Sequence, residues 1–279
     1  MPGKNRDMRR TVLFHLLFLL STARLFSAGE VHTAGARSIS LGSCSVALSD
    51  PWSGFNNPAG LSWQRQMAAG IYYENRFLVK ELGMKAAGFV LPIKGGTFGI
   101  SFQHSGFSLY NEILAGVAFG RSFGKCFSMG ARLDYLRIHA GEGYGTRNLV
   151  SFGIGFQLRP IQKLTAGIYF ANPVPIRIVK NTREYLPVVI RLGLAWEPVP
   201  KLLLCIEAEK EISRKPSLKA GIEYQVARPV SLRIGVMTHP TQFTFGFGFV
   251  FGKFRFDLSS SYHLYLGYSP QASLIFSFR

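Results

Sequence analysis

The sequence predicts an all-β protein: a 14-stranded antiparallel transmembrane β-barrel of the outer-membrane kind, with an N-terminal plug, or hatch, in its lumen. Three observations lead there. Apolar and polar residues alternate with period two from Met67 onward. Many strand candidates approach the roughly 9–11 residues that cross a bilayer at a tilt, beyond the five or six usual in soluble sheets. Connections alternate between tight turns and longer loops.

The alternation is clearest near the end of the chain. Phe243, Phe245, Phe247, Phe249 and Phe251 alternate with Gln242, Thr244, Gly246, Gly248 and Val250, so one face is a column of rings and the other is small or polar. The next run sets Phe254, Phe256, Leu258 and Tyr262 against Arg255, Asp257, Ser259 and Ser261. The last sets Ala272, Leu274, Phe276 and Phe278 against Gln271, Ser273, Ser277 and Arg279. A soluble sandwich would turn the apolar face inward, whereas a membrane barrel turns it to lipid and keeps the polar face for the lumen.

Length and connections favour the barrel. Strands are expected near 66–74, 84–92, 96–104, 111–121, 125–138, 147–158, 163–171, 187–197, 201–210, 217–226, 229–238, 241–251, 253–262 and 271–279. After even strands the turns are tight: "IKGG", "FGK", "PIQ", "PVP", "ARP" and "GK". After most odd strands they are longer, clearest in "HAGEGYGTR" and "ANPVPIRIVKNTREYLP". Short turns are periplasmic in such barrels and long loops external, so both chain ends are expected in the periplasm.

The leader agrees with that compartment. Lys4, Arg6, Arg9 and Arg10 precede "TVLFHLLFLL" and a run of small residues, the order of a secretory signal peptide over residues 1–28, with cleavage expected between 23 and 29. "LGSC", ending at Cys44, lies too far past the apolar run to be a lipoprotein site. Cys44, Cys126 and Cys205 are odd in number and far apart, which indicates neither a disulfide framework nor a metal site. No cofactor is implied. The 24 Phe, 11 Tyr and 30 Gly suit β-structure with closely packed backbones.

Residues 30–64 precede the barrel domain, residues 65–279, and include "SDPWSGFNNPAGLSW", which is rich in turn formers yet too apolar for a solvated linker. Eight strands leave an interior just filled by side chains, and sixteen leave an aqueous channel. A ring of fourteen would leak unless stoppered, so this segment is read as the plug. Pro58 and Gly60 would set its turns, Asn56 and Asn57 would bond backbone groups, and Trp52, Phe55 and Trp63 would pack it on the wall, with Ala59 inside the same element.

Charges of both signs fall on the presumed lumen face: Arg132, Asp134, Arg191, Glu207, Glu209, Lys219, Glu223, Arg233, Arg255 and Asp257. Buried charges need partners, so luminal ion pairs are the first reading. The second is an excess of Arg that binds an anionic head group, since the formal charge of +17 falls only to about +13 when the leader's five Lys/Arg and one Asp are removed. Nucleic acid is a poor partner, because no basic cluster interleaves with stacking aromatics on a known module. His104, His139, His239 and His263 fall near strand ends, which allows a rim hydrolase, but polar aromatics collect at membrane interfaces in any case. The chain has no HExxH motif.

"ARSISLGSCSVALSDPWSGFNNPAGLS" resembles the start of mature proteins in the FadL/TodX long-chain fatty-acid transporter superfamily, in particular its PorV/PorQ-like branch from Bacteroidetes, whose hatch carries an Asn-Pro-Ala element, here Asn57-Pro58-Ala59. "AGIYYENRF", "GEGYG" and "SSSYH" with "LGYSPQ" resemble pieces of such barrels. The resemblance implies a fourteen-stranded barrel with its plug inside, and a hydrophobic ligand that passes the hatch and leaves sideways through the wall. The PorV-like members are partners in type IX secretion. The expected function is therefore a plugged outer-membrane barrel that binds or passes a hydrophobic or amphipathic molecule, with a type IX scaffold and a rim hydrolase as alternatives. Outer-membrane lipid, the outer-membrane assembly machinery, a hydrophobic ligand and secretion-system proteins are the candidate partners.

Overall fold

A computed structural model of the chain describes residues 29, 31–141, 145–178 and 184–278. The expected signal peptide and Arg279 lie outside them. Fourteen strands close into one antiparallel barrel: β1 (Ala68–Asn75), β2 (Gly83–Ile93), β3 (Gly96–Gly106), β4 (Tyr110–Phe123), β5 (Phe127–Ala140), β6 (Gly145–Ile161), β7 (Leu164–Ala171), β8 (Val189–Trp196), β9 (Leu202–Glu211), β10 (Ser217–Ala227), β11 (Val230–Thr238), β12 (Thr241–Phe251), β13 (Phe254–His263) and β14 (Gly267–Ser277). Each strand pairs with its sequence neighbours, and β1 pairs with β14 from Ala68 opposite Ser277 to Glu74 opposite Gln271. No sheet edge is left open, as a chain in lipid requires.

The side-chain alternation decides which face is outside. On β12, Phe243 and Phe245 are 51% and 49% exposed while Thr244 between them is 3% exposed. Phe247 stands opposite Leu232 of β11 and Leu258 of β13 on the outer face; Gly246 stands opposite Arg233 and Ser259 on the inner one. The same pattern runs around the ring through Ile100, Val117, Leu133, Leu192, Ile206, Leu218 and Ile234, all exposed, with buried polar residues between. Only a hydrocarbon surrounding removes such a surface from water.

The tight turns all lie at the edge that holds the start of β1 and the end of β14. There the amide of Phe278 donates to the Met67 carbonyl at 2.8 Å, continuing the seam beyond the last regular pair. The opposite edge is called the mouth here. Its connections are less uniformly long than expected: residues 76–82 and 172–188 are extended, but 107–109, 239–240 and 264–266 are tight. "HAGEGYGTR" is mostly ladder, because β5 and β6 continue as a two-stranded ribbon to Ala140 opposite Gly145, and His139 Nδ1 lies 2.9 Å from Thr146 Oγ1 across it. β14 begins at Gly267, ahead of the expected 271, through Pro270. Pro270 is tolerated because β1 joins β14 only from Gln271 onward, so the missing amide lies where no second ladder needs it.

Candidate functional site

Residues 31–67 carry no strand. They form α1 (Ala36–Ser40), α2 (Ser53–Asn56) and a 3₁₀-helix, Pro58–Trp63, and they pack against inward-facing residues of the wall. The local chemistry explains these turns. Asn56 closes a reciprocal pair with the backbone of Ala34, accepting from its amide at 3.0 Å and donating to its carbonyl at 2.9 Å. Asn57 caps the 3₁₀-helix by accepting from the Ala59 amide at 3.1 Å, and Pro58 follows as the first helical residue, where no amide is needed. The Asn57 amide group also donates to the Val46 carbonyl at 2.7 Å and to the Phe156 carbonyl of β6 at 3.3 Å, tying the turn to the wall.

Room for this backbone comes from glycine. Inward positions in mid-strand are Gly99, Gly120, Gly130, Gly155, Gly167, Gly193, Gly221, Gly235 and Gly246, and a Cβ at any of them would meet the segment. At Gly221 it would lie 2.5 Å from the Leu41 carbonyl oxygen; at Gly155 it would collide with Asn57 Oδ1, at Gly235 with the Gly42 amide and at Gly246 with Ser40. Gly60 fits against Leu48 O and the side chain of Ser53 in the same way. Trp52 is 1% exposed, with its ring 5.9 Å from Phe55 and 6.0 Å from Tyr72. Trp63 is half-buried at the turn edge, with the Arg159 guanidinium 3.9 Å from its ring.

The wall charges meet the segment in three groups. In the first, Arg37 donates to both oxygens of Glu223 at 2.8 Å, Glu223 also pairs with Arg233, Arg233 with Asp257 at 2.8 Å, and Asp257 with Arg255 at 3.0 Å. Asp50 approaches Arg37 at 3.6 Å, giving three cations to three carboxylates. Burial opposes the charge of Arg37, but Glu223, helped by Asp50 and Asp257, outweighs it and holds its pKa above the ordinary guanidinium value.

In the second group Lys219 bridges Glu207 at 2.9 Å and Glu209 at 2.8 Å, and Glu209 accepts from Arg191 at 2.6 Å. Both ends reach the segment: Glu207 accepts from the amides of Ser45 and Val46 at 2.7 and 2.8 Å, and Arg191 donates to the Val31 carbonyl at 3.0 Å. In the third, Arg132 pairs with Asp134 at 2.5 Å and donates to the Phe55 carbonyl at 2.6 Å. The charges are therefore matched locally, and the ten named wall residues pair with each other, with Arg37 and with segment backbone.

Sequence reasoning passed over Arg37, Gln157 and Thr244. Gln157, 1% exposed, donates to the carbonyls of Val46 and Leu48 at 3.0 Å, and Thr244 accepts from the Gly42 amide while donating to Ser40 O. A lone cation in an apolar stretch and isolated glycines inside strands were the available signals. Cys44 on the segment and Cys205 on β9 are both buried and free; a hydrogen bond to Cys205 and burial push the Cys44 thiol pKa up, which makes it unreactive. The four histidines sit at the mouth on separate elements, and the ring of His263 is occupied in accepting from the amides of Tyr265 and Leu266 at 3.2 Å.

Above the segment, toward the mouth, lies a cavity of about 40 Å³ between Phe55, Arg132, Asp134, Tyr169 and Leu186. The described parts of the connection between β7 and β8 roof it, through Asn172 and Leu186. Ile178 and Leu186 of the loop are buried against Leu136 and Ile138, and Asn172 donates to the Pro187 carbonyl at 2.9 Å to close the loop base. Gly29 packs beside Leu186 and Leu136, and its amide donates to Glu112 at 3.0 Å, so the chain enters the barrel at the mouth and leaves it at the turn edge.

The architecture has solved counterparts. The monoaromatic hydrocarbon channel CymD superposes with a TM-score of 0.69 at 13% identity, over 90% of this chain and 99% of that one. The toluene transporter TodX of P. putida gives 0.69 at 13% identity, over 90% of this chain and 100% of that one. A FadL homologue of Pseudomonas aeruginosa gives 0.62 at 14% identity, over 88% and 96%. The chain shares the fold of FadL-like transport channels. At these identities the likeness is one of fold. No protein-family model matches the sequence, and a search of curated proteins finds no match.

Proposed function

We propose that the protein is an outer-membrane channel for small hydrophobic molecules, that residues 30–64 are its plug, and that the turn edge faces the periplasm. The observation that carries this reading is a wide barrel whose inner wall is cut away with glycine to receive a segment held by hydrogen bonds, ion pairs and apolar packing. An ordinary filled barrel would use its own inward side chains. The fold shared with hydrocarbon and toluene channels supports the choice of cargo.

The cavity of about 40 Å³ holds a water or two and no hydrocarbon. Passage by this route requires the described parts of the β7–β8 connection or the plug to move. A larger apolar depression, about 480 Å³, lies outside on the wall between Leu232, Ile234, Phe245, Phe247 and Leu258. It opens to the surroundings and suits a lipid chain. The secretion-scaffold and rim-hydrolase readings gain no observation of their own.

Uptake of radiolabelled toluene and oleate by a diderm host depleted of its own hydrophobic channels tests the proposal. Cells carrying the protein should accumulate at least one label faster than cells with an empty vector. Equal rates for both labels would remove the channel reading.

A further inference from the structure

The six connections at the turn edge are short, and each contains a cation: Lys94 after β2, Lys125 after β4, Lys163 after β6, Lys201 after β8, Arg228 after β10 and Lys253 after β12. All six are exposed, and Glu197 is the one carboxylate in these connections. Among the described residues none of the six forms an ion pair. The mouth differs in distribution: its cations in the described residues, Arg76, Lys80, Arg177, Arg214 and Lys215, are gathered in three connections, Arg76 is paired with Glu74 and Arg214 with Glu211, and the connections 107–109, 239–240 and 264–266 contain none. What sets the turn edge apart is regularity, one cation, unpaired among the described residues, in every connection.

The cations also sit at a defined height. Lys125 lies between Phe123 and Phe127, which are 47% and 37% exposed, and Lys253 follows Phe251, 70% exposed. Lys253 Nζ approaches the Phe276 ring at 6.0 Å, and Arg121, two residues before the end of β4, lies 5.5 Å over Phe123. Phe123, Phe127 and Phe251 are terminal strand residues, and aromatic rings at the strand ends of a membrane barrel form the girdle between hydrocarbon and head groups. A cation one or two residues beyond that boundary is at phosphate level.

We infer that these six side chains form an annular binding surface for anionic phospholipid head groups of the leaflet at the turn edge. The distribution selects lipid over a protein partner. A protein would dock on one sector, whereas one cation per turn around the whole circumference matches a continuous ring of head groups. Lysine suits this role as a compact point charge on a flexible stem, able to follow mobile phosphates. The inference rests only on the barrel's spanning a membrane, and it holds whichever cargo the channel carries.

The test uses the full barrel in vesicles that mix phosphatidylcholine with spin-labelled phosphatidylglycerol, or the converse, and reads the relative association of the two lipids with the protein. The intact protein should prefer phosphatidylglycerol several-fold at about 0.1 M salt and lose most of that preference at about 1 M, where the Debye length falls to about 3 Å. Replacing Lys94, Lys125, Lys163, Lys201, Arg228 and Lys253 by Gln should bring the ratio near one, and the subset Lys94→Gln, Lys163→Gln and Arg228→Gln should give an intermediate value even if the full set assembles poorly. Heat-dependent gel mobility reports folding of each variant. Equal association of both lipids with the intact barrel would overturn the inference, as would a preference unchanged in the variants. Retention of an acidic periplasmic protein without lipid preference would assign the ring to a protein partner and overturn it equally.

Discussion

Arg37 of α1 and Glu223 of β10 are joined by two hydrogen bonds of 2.8 Å each, one side chain belonging to the N-terminal segment and the other to the wall. Their side chains are only 16% and 15% exposed, so the pair is worth more than a surface contact but was costly to desolvate. Its two halves are not equivalent. Arg37→Ala leaves Glu223 with Arg233, whereas Glu223→Gln leaves Arg37 and Arg233 facing each other without their shared carboxylate. The second change should cost about 3–5 kcal/mol in urea unfolding and the first distinctly less. Equal losses would mean that the pair does not anchor the segment.

The glycines make a sharper separation. Gly155→Ala and Gly235→Ala place a methyl group into the backbone or side chain of the segment, with about 1–3 kcal/mol of strain expected. Gly88→Ala is the control, because its Cβ would lie 3.5 Å from the Phe55 ring, an ordinary contact. Limited proteolysis should release residues of the segment in the first two variants and leave the control resistant. Identical digestion of all three would exclude close packing of segment on wall.

Phe247 tests which side of the wall meets lipid. Arginine there should lower barrel stability by about 2–4 kcal/mol if the position is near mid-membrane, and leucine by less than about 1.5 kcal/mol. Urea titration in vesicles measures both. A tolerated Phe247→Arg would place the column of rings away from hydrocarbon. Gly246 is no neutral inward control, since Ser40 occupies the space it leaves.

Removing residues 36–62 tests the plug itself. The strand ladder is complete without them, so the shortened protein should still assemble and run as a compact band before boiling. The lumen, lined by glycines and freed charges, should fill with water and conduct ions in a planar bilayer, while the intact protein stays closed. A closed shortened protein would contradict the proposed role of the segment.

The strands were legible because each carries its own evidence. The rings of β12 alternate regardless of what they touch, so the lipid face could be read from the chain alone. The start of β14 was obscured by Gly267 and Pro270, which signal turns locally but occupy places where the neighbouring ladder has not begun. The flanks of "GEGYG" looked like parts of an open loop because small and polar residues do not distinguish a loop from a solvated two-stranded ribbon, which is what His139, Ala140, Gly145 and Thr146 form. The luminal charges could be named but not paired. Arg37 and Glu223 are 186 residues apart, and only closure of the ring brings them together. The glycine positions were visible as composition, yet what filled the space above them belonged to another part of the chain.

The path of the segment constrains the order of assembly. Gly29 rests at the mouth, Met67 at the opposite edge, and the chain between them touches the inner faces of strands all around the ring. Where a glycine is needed merely to admit a backbone, nothing can slide. Drawing the segment lengthwise through a finished cylinder would drag Arg37 and Trp52 past wall positions where only glycine leaves room for the backbone of Leu41, Gly42 and Pro58. The hoop must instead be drawn shut around its contents: β1 and β14, the first and last strands made, meet after the segment is in place, and the joint between them is the last gate to close during biogenesis.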